Sequence, residues 1–173
     1  MKSSTMKVAA AMLAAGVQAA SADTIVTVAG QKSGTGIGNS VAVQIVDLDT
    51  LDGAPYDHNG SVMIVDAQKG IIAYARPKAS IAKTVKPGTV LFKGQPWDSS
   101  RTDDAIIRGE AYVFRAGCEA AGYEVRGMYH FAYGFAQFTL EGMAPVRARG
   151  SCDITGHDMT SSNSKLTFDG TWD

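Results

Sequence analysis

The chain has little cysteine, little charge and no hydrophobic run of membrane length, and each shortage excludes something. Two cysteines in 173 residues are too few for a disulfide-dense scaffold. No Cys-x-x-Cys spacing is present, so neither a thiol redox motif nor a structural zinc site is written locally. Charged residues make up 19 % of the chain, with 16 basic against 17 acidic, a balance that gives no electrostatic case for nucleic acid or an anionic membrane, which usually need a clustered positive field. The apolar stretch Val8 to Ala20 has 13 residues, short of the ~20 that span a bilayer of roughly 30 Å. Beyond it, no window keeps a helical 3.6-residue period.

The familiar catalytic signatures are missing too. Gly34-Thr35-Gly36-Ile37-Gly38 lacks the third glycine of a dinucleotide fingerprint and the Gly-Lys-Ser/Thr of a P-loop, so it reads as an inter-strand loop. No Gly-x-Ser-x-Gly nucleophile elbow occurs.

What is present begins with an address. Lys2 and Lys7 precede the apolar stretch, and Ala20-Ser21-Ala22 has the small-x-small form that a signal peptidase cleaves. The expectation is a secretory signal over 1–22 and a domain over 23–173 beginning at Asp23. The alanine-rich signal points to a bacterial source and a periplasmic or secreted destination. Without Lys2 and Lys7, 14 basic residues face 17 acidic ones, a net charge of -3. Export places Cys118 and Cys152 in an oxidising compartment, where they are expected to pair.

Short alternating runs separated by turn residues dominate the rest. Thr24–Ala29, Val41–Val46, Val62–Val65, Gly70–Ala75, Thr89–Phe92, Ala105–Phe114, Gly122–Tyr129, Gln137–Leu140, Pro145–Ala148, Cys152–Thr155 and Lys165–Phe168 read as strands. Asn59-Gly60 and Gln68-Lys69-Gly70 read as tight turns, and Asp47 to Gly60 as a polar loop. About ten antiparallel strands predict an all-β fold, a β-sandwich or a small β-barrel with one disulfide. The strands before Pro96 are aliphatic and those after it aromatic, which suggests two sheets of one domain. Cys118 to Ala121 is the best local helix candidate, one turn at most.

Several side-chain groups are candidates for function. Asp47, Asp49 and Asp52 have spacing near that of a calcium loop, although Leu51 interrupts it; calcium is the one cofactor the sequence hints at. His58, His130 and His157 lack ligand spacing. Glu110, Glu124 and Glu141 are the carboxylates available to a hydrolase. The most distinctive stretch is Met128 to Phe138, where Tyr129, Phe131, Tyr133 and Phe135 recur at every second residue. A continuous strand would project all four rings from one face; a turn at Ala132 to Gly134 would crowd them at a hairpin tip. Such rings either fill a core or form a platform, which Trp97 and Trp172 could join. The resulting expectation is an exported, non-catalytic protein that recognises a protein or glycan through an aromatic β surface. The alternative is a small secreted hydrolase using carboxylate or histidine chemistry.

Overall fold

The computed structural model describes residues 26–28, 31–34, 36, 38–100, 105–132 and 135–170, with only the backbone of 27, 131, 132 and 135. The expected signal over 1–22, Asp23, Tyr133 and Trp172 lie outside the described residues.

Thirteen strands occur among the described residues. The first three are short: β1 (Val26–Thr27), β2 (Asn39–Val41) and β3 (Gln44–Ile45). A 3-10 turn at Leu48–Thr50 follows. Then come β4 (Ala54–His58), β5 (Ser61–Asp66), β6 (Ile71–Arg76), β7 (Val90–Gly94), β8 (Ala105–Val113), β9 (Ala120–Ala132) and β10 (Phe135–Glu141). The hairpin β11 (Ala144–Arg147) and β12 (Ile154–Asp158) precedes the last strand, β13 (Lys165–Gly170).

Strands β4 to β10 pair in chain order, all antiparallel, and β13 lies between β10 and β4. The sheet therefore closes into an eight-stranded barrel. Of the two architectures the alternation allowed, the barrel is the one formed. The expectation of two sheets is corrected: aliphatic and aromatic strands share one closed sheet. Alternation looks the same in both cases, because a strand's inward face meets apolar neighbours in either. The helix candidate at Cys118 to Ala121 is also corrected, since Ala120 and Ala121 open β9. The polar stretch before Asn59 holds a strand, β4, because a tight hairpin turn needs a strand on both sides.

Inward residues fill the barrel. Met63, Ile72, Phe92, Ile107, Leu140 and Phe168 are fully buried, and Tyr56, Tyr123, Tyr129 and Phe138 lie among them. An eight-stranded barrel is only wide enough for side chains, so large rings need small partners. Gly109 supplies one: a Cβ there would come within 2.7 Å of the Phe92 ring and 2.5 Å of the Gly94 Cα. A second apolar cluster lies outside the barrel wall, where Val43 and Val46 of the N-terminal segment cover Ile71, Ala73, Val90 and Tyr112.

The β4–β13 seam has only two register pairs, Asp57 with Asp169 and Tyr56 with Gly170. His58 extends it. Its buried ring donates from Nδ1 to the Thr167 carbonyl at 2.9 Å and stacks on Phe168 at 4.9 Å. Burial lowers the His58 pKa below its ordinary value and Lys78 adds to that, against the Thr167 carbonyl and Asp57.

Cys118 and Cys152 are bonded, with Cα atoms 5.5 Å apart. The bond pins the β11–β12 hairpin to the start of β9. Arg115 adds hydrogen bonds to the carbonyls of Ala148 (2.9 Å) and Ser151 (2.7 Å).

Two predictions follow from these ties. Closing a 34-residue separation stabilises the fold by about 3–4 kcal/mol through the unfolded chain, so Cys118→Ser/Cys152→Ser should lose that much in denaturant unfolding. A depressed histidine pKa means that the unfolded chain binds the extra proton first. Stability should therefore be complete above about pH 6.5 and fall below it, and urea midpoints of His58→Gln should show a flatter acid limb.

Candidate functional site

Up-and-down connectivity gathers several loops at one end of the barrel. There β4, β6, β8 and β10 begin, and β5, β7, β9 and β13 end. Asp66, fully buried at the end of β5, organises this rim. Its carboxylate accepts from the Lys69 N–H at 2.9 Å, closing the β5–β6 turn, and from the Asp52 N–H at 3.0 Å, tying the preceding loop to it. The Ala67 carbonyl accepts from the Trp97 N–H at 3.0 Å, which anchors the loop after β7.

These ties frame a pocket of about 220 Å³. Its polar lining is Asp52, Gln68, Ser99, Tyr56 and Tyr129, with Val65 and Ala67 among its apolar lining. The Tyr56 and Tyr129 hydroxyls are 3.1 Å apart. Only one of them can donate to the other, so one hydroxyl hydrogen has no partner among the described residues. Burial, then the hydrogen bond to Tyr129, raises the Tyr56 pKa, which keeps it a protonated donor. The pocket thus offers phenolic donors inside and a carboxylate, an amide and a hydroxyl around them.

The predicted site residues divide. Tyr129 lines this pocket but is 5 % exposed, and its ring packs on Phe138 at 5.6 Å. Trp97 lies in a loop as expected, but its ring enters the barrel between Phe92 (6.2 Å) and Phe138 (6.5 Å). The exposed placement considered for these two rings is therefore corrected: barrel closure turns both inward. For the others, the backbone decides between strand and turn. Ala132 pairs with Phe135, so the chain reverses between them and the stripe is a hairpin, not one strand. Phe131 and Phe135 occupy the facing strands at the pocket end of the barrel. Tyr133 lies outside the described residues.

The aspartates also part company. Asp47 caps the 3-10 turn by accepting from the Asp49 N–H at 3.1 Å, and Asp52 lines the pocket. Among the described residues no group of three or more His, Cys, Asp or Glu side chains is placed to hold a metal ion. His130 is exposed on β9 and His157 half-buried on β12. Glu110, Glu124 and Glu141 come together elsewhere, along a groove on the outer wall of β8 and β9. No helix among the described residues is long and apolar enough to cross a membrane.

Tyr56, Gln68 and Ser99 were not singled out from the sequence. One signal was available for Tyr56. Ala54, Tyr56 and His58 alternate immediately before Asn59-Gly60, the pattern of a strand entering a hairpin. Gln68 and Ser99 carry no such pattern; the β5–β6–β7 pairing and the Trp97–Ala67 hydrogen bond bring their loops together.

Comparison with protein-family models, with curated proteins and with solved structures finds no match to this chain. The reading of the site rests on its own chemistry.

The placement of Tyr129 has a direct consequence. Tyr129→Ala should destabilise the fold by about 3 kcal/mol or more, as removal of a buried ring does. Tyr129→Phe should cost only about 1 kcal/mol, the net value of one hydrogen bond. Chemical denaturation of both variants checks the pair.

Proposed function

We propose that this protein is an exported binding protein without chemistry of its own, and that its barrel-end pocket holds one hydroxylated ring, a single sugar unit of a glycan. The observation that supports this most is the Tyr56–Tyr129 hydroxyl pair, with its spare hydrogen, in a pocket rimmed by Asp52, Gln68 and Ser99. A sugar presents donors and acceptors around a small ring, and this lining answers both. The volume, about 220 Å³, is below the roughly 300–1,000 Å³ typical of sites for drug-sized ligands. The Asp52 carboxylate at the pocket can accept from the hydroxyls of a bound sugar and disfavours anions. Export draws on the Ala20-Ser21-Ala22 cleavage pattern, and the disulfide is in keeping with an oxidising compartment.

A glycan partner is favoured over a protein at this pocket because its volume, about 220 Å³, suits one small ring. Hydrolysis is the second reading, drawn from the convergence of Glu110, Glu124 and Glu141 on the outer groove.

Glycan-array screening followed by calorimetric titration tests the proposal. Binding of a mono- or oligosaccharide is expected, weakened about tenfold by Tyr56→Phe/Tyr129→Phe and by Asp52→Asn. Binding unchanged in both variants would place the site elsewhere. Release of reducing sugar from a bound glycan would favour the hydrolase.

A further inference from the structure

The outer face of β8 and β9 carries charges in an unusual order. Opposed residues on neighbouring strands are normally of opposite sign, because like charges directly across a ladder repel. Here Arg108 faces Arg126, and two residues along, Glu110 faces Glu124. Arg108, Glu124 and Arg126 are exposed, and none of them makes an ion pair among the described residues. Glu110 accepts from the Tyr112 hydroxyl at 2.8 Å. On the far side of each pair the sign changes: Glu141 of β10, which pairs with Lys165 at 3.8 Å, stands opposite Arg126, and Lys93 of β7 stands opposite Glu110. The β8–β9 ladder thus sets an arginine pair beside a glutamate pair.

Between the two rows lie Gly109 and Val125, which are register partners of each other. A two-fold axis in the plane of the sheet, crossing the strands at this level, turns the arginine row of one molecule onto the glutamate row of another. Arg108 then meets the second copy's Glu110, and Arg126 meets the second copy's Glu124; the reciprocal contacts form at the same time. This is the self-complementary relation that an isologous dimer requires. The groove here has a volume of about 960 Å³, room for the second copy's long charged side chains. Ile106 and Met128, opposite each other and 60 and 56 % exposed, continue the face with apolar surface.

We infer that the β8–β9 face is a docking surface for a second copy of this chain, held by reciprocal Arg108–Glu110 and Arg126–Glu124 pairs. The inference is independent of the barrel-end pocket, which lies on other residues.

Sedimentation of the purified full chain tests it. At about 0.01 M salt, where the screening length is roughly 30 Å, a dimer is expected; at about 1 M, where it is roughly 3 Å, the dimer should weaken at least tenfold. Arg108→Glu/Arg126→Glu and Glu110→Arg/Glu124→Arg should each be monomeric, and an equal mixture should restore the dimer. Arg108→Gln/Arg126→Gln, which adds no repulsion, covers the case where a reversed variant fails to fold, and should weaken the dimer about tenfold. A monomeric wild type at low salt would overturn the inference, as would unaltered assembly in the glutamine variant or a mixture that stays monomeric. A monomer that instead captures a mixed-charge peptide would also overturn it, by assigning the face to another partner.

Discussion

The structure depends on the packing of Phe138 at the centre of the barrel. Its ring stacks on Phe168 at 4.7 Å and meets Tyr56, Tyr129 and Trp97 at 5.5, 5.6 and 6.5 Å. These contacts join β10, β13, β4, β9 and the loop after β7, elements spread along most of the chain. They sit beside the weakest part of the wall, the two-pair seam between β4 and β13. Where backbone hydrogen bonds are few, buried rings and the His58–Thr167 contact hold the two strands together.

Filling the barrel this way decides where function can reside. Phe92, Phe138 and Phe168 are packed in the lumen. The two candidate sites lie at the end, beside the Tyr56 and Tyr129 hydroxyls, and on the outer wall, where inward rings turn the intervening residues outward. On β9 that alternation buries Tyr123, Val125 and Tyr129 and exposes Glu124, Arg126 and Met128. The proposed sugar pocket and the proposed dimer face are thus two consequences of one packing arrangement.

Much of the fold was legible in the residues. The strands over Ala105–Phe114 and Gly122–Tyr129 were legible, because period-two alternation survives any sheet geometry. Asn59-Gly60 marked its hairpin, with Asn59 and Gly60 both at positive φ. Cys118 and Cys152 had no alternative partner. The site was far less legible. Tyr129 and Asp52 stood out for other reasons, a ring platform and a calcium loop, and met in one pocket through a hydroxyl and a loop tie. Tyr56 was hidden because Pro55 and Asp57 made a strand look like a loop.

By itself the sequence determined the β class, the disulfide and which side chains share a strand face, since these follow from local alternation and from counting cysteines. Tertiary closure alone decided which of those faces is inside. That choice turned Tyr129 and Trp97 into the core and set the Tyr56 and Tyr129 hydroxyls side by side. The reason is that register between strands far apart in the chain is set by how large and small side chains fit across the lumen, and no local pattern encodes that fit.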